Sequence, residues 1–388
     1  MKIVIIGNGV AALNAVEAIR EIDKNCGITI ISKENESFYT PCFLANYLSG
    51  EIAKDRLYLK NERFYDEQRV ETIFGNAVAE IKVEERSIRL SDGRELFYDT
   101  LLIAAGSNPI MPKLPNIEGG GVFSFKTMSD ADRIISNLKK INSAVIVGAG
   151  FIGLEVAEAF IKKGVGVTVI ERDNRVLPRM LDNETAELVT SHMEKNGVKI
   201  MTGKEVKAIC RKKGNIAGID TKEEIIPCEL VVIAVGVAPN LEMIRDNSIK
   251  VDKGIIVDDG MRTNIPNIYA AGDIAEMEIQ GERKINPIWF YAAKGGRIAG
   301  LNMMGLKKRY AAPFTDMNVV TLFGLPVFSA GIQRGSKTLK HQDSKGIKKI
   351  YLDENECING VQLIKDVAKG GLYLSLINKR VPYSLAGG

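Results

Sequence analysis

The sequence predicts an α/β protein in which two parallel-sheet domains, one inserted in the other, precede a small α+β C-terminal domain. Two glycine-rich turns of the same design, at residues 7–9 and 148–150, each follow an apolar β-branched run and open a stretch with helical periodicity. Such a strand, turn and helix leave a helix N-terminus free to receive a pyrophosphate. We therefore expect two Rossmann-like dinucleotide-binding domains.

The repetition extends beyond the glycine-rich turns. Residues 29–31 and 168–170 read as second strands at matching distances from the two turns. Residues 98–106 and 228–236 each read as a buried parallel strand that ends in a glycine, Gly106 in the first unit and Gly236 in the second. Four matched segments favour a duplicated fold over two unrelated loops, and both glycines are expected beside a bound dinucleotide.

Length and composition narrow the class of protein. The chain has 388 residues, which is enough for two or three domains, and its net charge of +4 is too small to indicate nucleic-acid or membrane-surface binding. No apolar run reaches the length of a membrane span, and the chain enters its first strand directly from Met1, so neither a span nor a signal peptide is expected. The five cysteines form no C-x-x-C pair or cluster, which disfavours metal centres and disulfides and favours a reducing, cytoplasmic setting.

Breaks in the pattern suggest the domain limits. Prolines after Gly106 mark a crossing out of the first domain, and the chain returns to that domain after the second one is complete. After residue 312 the pattern changes to short β-like runs without a phosphate-binding turn. The apolar helix at residues 371–377 favours burial within this last domain, and an interface to a second copy or a partner subunit is the alternative. The expected domains are 1–112 with 239–312 (first dinucleotide), 113–238 (second dinucleotide) and 313–388 (C-terminal).

The second turn has a complete dinucleotide motif. Gly148 supplies the tight turn, Gly150 lets the backbone approach the pyrophosphate, and Gly153 permits close packing of helix on strand. Glu171 ends the second strand, where a carboxylate can accept hydrogen bonds from both ribose hydroxyls and repel a 2′-phosphate. NADH is therefore favoured over NADPH, although the adjacent Arg172 would weaken that preference.

The first turn departs from the motif in two places. Gly7 and Gly9 are present, but Ala12 occupies the third position, where alanine is a tolerable substitute. Ser32 stands where a ribose-binding acid is expected, so either Ser32 itself or Glu34, two residues later, would contact the ribose. We expect this site to bind its dinucleotide through an altered ribose contact.

With these features the chain resembles the FAD-dependent pyridine nucleotide-disulfide oxidoreductases over essentially its whole length. The resemblance rests on the doubled turn, on residues 104–106 and 236–240, and on Thr263 followed by residues 269–273. It implies that the first turn binds FAD and the second binds NAD(P)H.

The resemblance also implies roles for single residues. Asp273 would bond the ribityl-phosphate region of FAD, and Trp289 would begin the helix beside the pyrimidine edge of the flavin. Phe151 would gate the flavin, and Glu155 would lie near the nicotinamide and orient its carboxamide for hydride transfer. The residues with an implied FAD-binding role beyond the first turn are Ala105, Gly106, Asp273 and Trp289.

Within this family the chain is closest to the branch of NADH oxidases, NADH peroxidases, coenzyme A disulfide reductases and the flavin portions of nitrite and rubredoxin reductases. Cys42 falls where single-cysteine members hold a redox thiol, and its spacing to Gly50 agrees. Pro41 before it and Phe43 after it instead resemble electron-carrier reductases that lack this cysteine. A helix starting after Pro41 would favour the thiolate. The alternative is a small hydrophobic residue packing under the flavin.

The resemblance implies an enzyme, an FAD-dependent NAD(P)H oxidoreductase that takes hydride from NADH. Electrons would then pass through Cys42 to a disulfide, persulfide, peroxide or oxygen acceptor. A second hypothesis makes the chain a reductase for a rubredoxin-like or ferredoxin-like protein, or the flavin subunit of a larger complex, with a structural Cys42. A non-catalytic redox sensor is a third hypothesis, and the intact motifs at both nucleotide sites argue against it.

Overall fold

The structure is a computed structural model, and it describes residues 1–245, 247–279, 282–310 and 315–385. The chain divides into two compact units. Unit 1 contains Met1–Thr40, Lys54–Asn108 and Val237–Phe314. Unit 2 contains Pro41–Ala53, Pro109–Gly236 and Thr315–Gly388.

The strands of the described residues are, in chain order, β1 (Lys2–Ile6), β2 (Gly27–Ser32), β3 (Val70–Phe74), β4 (Val78–Lys82), β5 (Ser87–Leu90), β6 (Glu95–Phe97), β7 (Thr100–Ile103), β8 (Ser107–Pro109), β9 (Val122–Ser124), β10 (Ser143–Val147), β11 (Gly166–Ile170), β12 (Val198–Met201), β13 (Ala208–Lys212), β14 (Asn215–Asp220), β15 (Ile225–Ile226), β16 (Leu230–Ile233), β17 (Val237–Pro239), β18 (Ile255–Val257), β19 (Ile268–Ala270), β20 (Ala275–Ile279), β21 (Glu282–Lys284), β22 (Met317–Leu322), β23 (Leu325–Gly331), β24 (Lys337–Asp343), β25 (Gly346–Leu352) and β26 (Ile358–Ile364).

The helices are α1 (Val10–Ile22), α2 (Leu44–Ser49), α3 (Glu62–Glu67), α4 (Met128–Leu138), α5 (Phe151–Lys162), α6 (Asn183–Lys195), α7 (Trp289–Met303) and α8 (Gly370–Asn378). Short 3-10 turns occur at Pro41–Phe43, Lys54–Leu57 and Tyr383–Leu385.

Unit 1 is built on a parallel sheet with the strand order β19-β7-β1-β2-β3. Strand β1 is buried from Ile3 to Ile6 and β7 is buried throughout, as expected of parallel strands covered on both faces. Helices α1 and α7 pack against each other along their lengths. A Cβ atom at Gly296 would lie 2.0 Å from the carbonyl oxygen of Ala11, so glycine in α7 allows the two backbones to touch.

Unit 2 repeats this design with the parallel order β12-β11-β10-β16-β9. In both sheets the strand before the glycine-rich turn lies between the second strand and a later strand, so the chain reverses its winding direction at the turn. Ligands bind at such switch points in open α/β sheets. The predicted α/β class with two Rossmann-like sheets is confirmed.

The C-terminal part of unit 2 is an antiparallel sheet with the order β22-β23-β26-β25-β24, covered by α8. The predicted limit between residues 312 and 313 lies outside the described residues. The units change between residues 108 and 109 and between 236 and 237, close to the predicted limits at 112 and 238. The domain bounds stay predictions. Within the described part of the chain, no helix combines the length and apolar character that a membrane span requires.

Candidate functional site

The first glycine-rich turn is shaped by backbone contacts. Gly7 has a φ of +106° and donates its N–H to the carbonyl of Ile31 at 2.7 Å. A Cβ atom at Gly7 would lie 2.2 Å from the oxygen of Ala104, which excludes every other residue type. At Gly9, in contrast, a Cβ would meet no described atom within 4 Å. Backbone atoms therefore fill the space next to Gly7, whereas the space next to Gly9, at the start of α1, is open.

The second turn has the same geometry. Gly148 has a φ of +107°, donates to the carbonyl of Ile170 at 2.8 Å and approaches Ala234, while the space at Gly150 is open in the described structure. A Cβ at Gly153 would lie 2.0 Å from the oxygen of Gly148. The two turns thus present similar open cradles at helix N-termini, and this geometry fits the pyrophosphate of a dinucleotide.

The third position distinguishes the two turns. Ala12 is fully buried in unit 1, so the first turn accommodates the methyl group that the second turn excludes at Gly153. Alanine at this position is consistent with an intact turn.

The two residues predicted to contact the ribose at the first turn, Ser32 and Glu34, are connected by a hydrogen bond. The hydroxyl of Tyr39 donates to the Glu34 carboxylate at 2.6 Å, and the Ser32 hydroxyl oxygen accepts from the Glu34 N–H at 3.2 Å. Ser32 ends β2, and both side chains are half-buried. Sequence reasoning missed Tyr39, which orients Glu34 at the end of this strand.

Asp273 is oriented by a residue that the sequence analysis did not select. The hydroxyl of Ser107 donates to Asp273 Oδ2 at 2.7 Å. Ala105 and Gly106 are half-buried just before Ser107, and Gly106 has a φ of +66°. The carbonyl of Gly106 accepts the N–H of Asn240 at 3.0 Å. The sequence feature that could have identified Ser107 is its position directly after the Ala-Ala-Gly run.

Trp289 is the first residue of α7, and its ring stacks on Phe38 with a centroid distance of 5.7 Å. Just before it, Asn286 is buried, and its amide nitrogen has no hydrogen-bond partner among the described residues. A buried donor without a partner is costly, so this amide is suited to a bound acceptor group. The open cradle at Gly9, the oriented Asp273 and the amide of Asn286 together fit FAD in unit 1.

Glu171 lies at the end of β11, as predicted. Its Oε2 accepts the N–H of Ala149, inside the glycine-rich turn, at 2.7 Å, and its Oε1 accepts the N–H of Asp173 at 2.9 Å. The carboxylate is therefore held against the turn, while the neighbouring Arg172 is exposed. Gly236, at the end of the matching strand, has a φ of +122° and accepts the N–H of Ile110 at 2.9 Å.

The first turns of α5 contain Phe151, with an implied role at the flavin, and Glu155, with an implied role at the nicotinamide. Phe151 is the first residue of α5 and is 41 % exposed. Glu155 follows one turn later and is partly buried. Burial, together with the negative charge of Glu158, raises the pKa of the Glu155 carboxyl to about 7. This carboxyl therefore titrates near neutral pH.

Cys42 is exposed and lies within the 3-10 turn at Pro41–Phe43, so α2 begins two residues after the thiol. A helical segment thus begins at Pro41, as a 3-10 turn that runs into α2 at Leu44. Of the other four cysteines, Cys26 and Cys228 are buried, and burial raises the pKa of Cys228 to about 12. Cys42 is the most accessible thiol of the five.

Three comparisons with known proteins agree with this geometry. Residues 1–292 match the family described as pyridine nucleotide-disulphide oxidoreductase. The chain belongs to this family. A curated relative, an NADH oxidase of Methanocaldococcus jannaschii, is 31 % identical over 351 residues, which is 88 % of this chain and 78 % of the relative.

Two solved structures are similar to this pyridine nucleotide-disulphide oxidoreductase at 27 % sequence identity each. One is a NAD-dependent persulfide reductase from A. fulgidus, with a TM-score of 0.91 over 98 % of this chain and 77 % of that chain. The other is an NADH:rubredoxin oxidoreductase from Clostridium acetobutylicum, with a TM-score of 0.83 over 98 % of this chain and 96 % of that chain. The expected family and enzyme class are confirmed, and the chain is a flavoprotein oxidoreductase that passes electrons from a pyridine nucleotide to an acceptor.

In this oxidoreductase the predicted site residues fall into two groups, one in each unit. Unit 1 contains Gly7, Gly9, Ala12, Ser32, Glu34, Ala105, Gly106, Asp273 and Trp289. Unit 2 contains Cys42, Gly148, Gly150, Phe151, Gly153, Glu155, Glu171 and Gly236. The sequence analysis assigned Cys42 to the first dinucleotide domain, whereas the structure groups its segment with the second.

Proposed function

We propose that the chain is an NADH-dependent FAD enzyme that reduces a disulfide or persulfide acceptor through Cys42. The observation that carries the proposal is the exposed Cys42 thiol in the same unit as Phe151 and Glu155. The similarity to a persulfide reductase supports this choice of acceptor.

The two glycine-rich turns divide the cofactors between the units in this proposal. Unit 1 would hold FAD by the turn at Gly7 and Gly9, with Asp273 and Trp289 as further contacts, and unit 2 would hold NADH by Gly148, Gly150 and Glu171. Bound FAD supplies the capacity to take a hydride from the nicotinamide and to release two electrons. The chain's own contribution to that step is orientation, since Phe151 would gate access and Glu155 would hold the carboxamide.

Cys42 would carry the acceptor chemistry. Its thiolate attacks one sulfur of a disulfide, a new sulfur–sulfur bond forms at Cys42, and the other sulfur leaves as a thiolate. Two electrons that originate from NADH then cleave the new bond, which restores the Cys42 thiolate and releases a second thiolate that takes up a proton. With a persulfide, the Cys42 thiolate would attack the outer sulfur, and the parent thiol would leave as a thiolate. Two electrons from NADH would then cleave the new sulfur–sulfur bond, which releases hydrosulfide and restores the Cys42 thiolate. In both cases one NADH supplies the two electrons that one acceptor molecule takes up, and the released sulfur species bind the protons.

An anaerobic titration with NADH tests this proposal. A reactive thiol beside a flavin is expected to give a long-wavelength charge-transfer band, and Cys42→Ser should abolish it. The same variant should lose at least about tenfold in turnover of coenzyme A disulfide or a persulfide, because the attacking group is gone, while NADH still bleaches the flavin. Cys357→Ser, at a half-buried thiol, is the matched control. Full turnover by Cys42→Ser would reject the proposal.

A second candidate function is the reduction of an electron-transfer protein. Pro41 and Phe43 beside the thiol favour it, as does the similarity to a rubredoxin oxidoreductase. Phe43 is 50 % exposed, which suits contact with a partner surface. Rapid rubredoxin or ferredoxin reduction that survives Cys42→Ser would establish this function in place of the first.

Two further assignments are also proposals. The Glu171 carboxylate supports NADH rather than NADPH as the reductant, and the cysteine spacing supports a cytoplasmic setting. The C-terminal sheet is proposed as an interface domain for a second copy or a partner subunit.

A further inference from the structure

The Cys42 segment, residues 41–53, is grouped with unit 2, although the residues on both sides of it belong to unit 1. Its helix α2 packs against α5, the helix that starts with Phe151, and against α4. A helix of six residues has little stability of its own, so its position depends on these tertiary contacts.

One lysine connects the Cys42 segment to α5. Lys162, the last residue of α5, places its Nζ 2.5 Å from Glu51 Oε1 and 2.6 Å from Glu158 Oε1. The second oxygen of Glu158 accepts the N–H of Phe323 at 2.8 Å, and Glu158 is 9 % exposed. Lys162 therefore rests on a buried carboxylate that is itself held in place, and it reaches from there to Glu51.

Glu51 transmits this contact to α2. The side-chain amide of Asn46 donates to Glu51 Oε2 at 2.8 Å, and the Glu51 N–H donates to the carbonyl of Asn46 at 2.9 Å. Gly50, which ends α2 with a φ of +82°, provides the left-handed residue that lets the chain turn back toward Lys162. On its other side, α2 is held by the Tyr47 hydroxyl, which donates to Asp132 at 2.6 Å.

We propose that Lys162 is a positioning residue that fixes the Cys42 segment, through Glu51, to α5, the helix that contains Phe151 and Glu155. The thiol then keeps one place relative to Phe151 and Glu155. This inference rests on the proposed function in so far as Cys42 is the redox thiol. Lys162 itself touches neither cofactor nor acceptor in this assignment, and it acts only through the segment that it holds.

The test uses the FAD-loaded full chain with the variants Lys162→Met and Glu51→Gln. The first readout is the rate at which iodoacetamide alkylates Cys42, followed on the Cys42 peptide by mass spectrometry. The second is turnover with a disulfide acceptor, set against reduction of ferricyanide by NADH, which does not require Cys42. Lys199→Met, at an exposed lysine of β12, is the matched control.

We expect both variants to raise the alkylation rate about two- to fivefold, the range expected for a half-exposed ion pair that holds a short segment. Disulfide turnover should fall by a similar factor while ferricyanide reduction changes less than twofold. Lys162→Arg should restore both readouts, and the double variant should be no worse than either single one. A general loss of stability would raise alkylation and also lower ferricyanide reduction, so a nearly constant ferricyanide rate separates the positioning role from destabilisation.

Unchanged alkylation in both Lys162→Met and Glu51→Gln, or an equal change in Lys199→Met, would overturn the inference. Failure of the proposed function is a separate outcome. If Cys42→Ser keeps full disulfide turnover, Cys42 is not the redox thiol, and the alkylation rates alone still decide whether Lys162 fixes the segment.

Discussion

At the scale of single residues, the carboxylates of unit 2 have different environments and different expected roles. Glu171 accepts two backbone N–H groups at the end of β11, so its charge is held beside the glycine-rich turn. Glu155 has a raised pKa because it is partly buried beside the charged Glu158. Glu171 is thus fixed by backbone hydrogen bonds at the turn, whereas the Glu155 carboxyl can lose its charge near neutral pH.

Glu171→Gln should reduce the preference for NADH over NADPH. Glutamine can still accept the Ala149 N–H, but it no longer repels a 2′-phosphate, so discrimination should fall by about 1–3 kcal/mol, mainly through better use of NADPH. The measurement is the ratio of kcat/KM for the two reductants, with ferricyanide as acceptor. Asp173→Ala, at an exposed neighbour, is the control. A parent enzyme that prefers NADPH would contradict the ribose assignment.

Glu155→Gln should stabilise the protein more at high pH than at low pH. The folded pKa of about 7 lies above the ordinary value of 4.5, so the folded state binds the proton more tightly than the unfolded state does. The cost of ionising Glu155 in the fold therefore grows as pH rises from 4.5 through 7. We expect the variant to gain about 1–3 kcal/mol in free energy of unfolding at pH 8 and little at pH 5.

Urea unfolding of the parent and of Glu155→Gln at the two pH values measures this difference. Glu187→Gln, at an exposed carboxylate of α6, controls for the general effect of removing a negative charge. An equal gain at pH 5 and pH 8 would show that Glu155 ionises normally in the folded protein.

At the scale of elements, glycine decides how closely α7 approaches α1. Cβ atoms at Gly296 and Gly300 would lie 2.0 Å and 2.5 Å from the carbonyl oxygens of Ala11 and Ala15. The two backbones are thus in contact along one face, and α1 is the helix whose N-terminus opens the first cradle. The resemblance to the family implied only that α7 lies beside the flavin, and its packing against α1 is seen only in the structure.

Gly296→Ala should destabilise the protein by about 1–3 kcal/mol, because the added methyl must displace backbone rather than a flexible side chain. FAD should also bind more weakly, since the start of α1 shifts with the rest of the helix. Thermal unfolding and FAD dissociation measure the two effects. Gly371→Ala in α8, where a Cβ meets no described atom within 4 Å, should be neutral or slightly stabilising. Equal melting temperatures for the parent and Gly296→Ala would disprove the contact.

At the scale of the whole molecule, unit 2 joins a dinucleotide fold to the C-terminal sheet through polar contacts. Asp182, the N-cap residue of α6, accepts hydrogen bonds from the buried Lys349 and from the Tyr351 hydroxyl. The Thr185 hydroxyl donates to the buried Gln362 at 2.7 Å. Although burial opposes it, these hydrogen bonds lower the pKa of Asp182 to about 2, so the contact should weaken only in strong acid.

Sequence periodicity and glycine spacing determined the class of the fold. A buried β-branched run directly before a glycine-rich turn and a helical pattern favours a parallel strand. Gly7, Gly148 and Gly153 lie where a Cβ would collide with backbone, so the spacing of these glycines predicts the shape of the two turns. The residues at the cradles and at Glu171 could therefore be selected without a structure.

Only the tertiary structure decided which distant side chains meet. Ser107 could be selected from its place after the Ala-Ala-Gly run, but the sequence does not show that it meets Asp273 or that Lys162 meets Glu51. Tyr39 and Glu34 lie only five residues apart, and their contact depends on how the chain turns between them. The grouping of residues 41–53 with unit 2 was likewise invisible in the sequence, because a segment's neighbours along the chain do not determine which surface its few side chains contact. Hydrogen bonds between residues far apart in sequence depend on the folded backbone that brings them within 3 Å, and that proximity is a property of the whole fold.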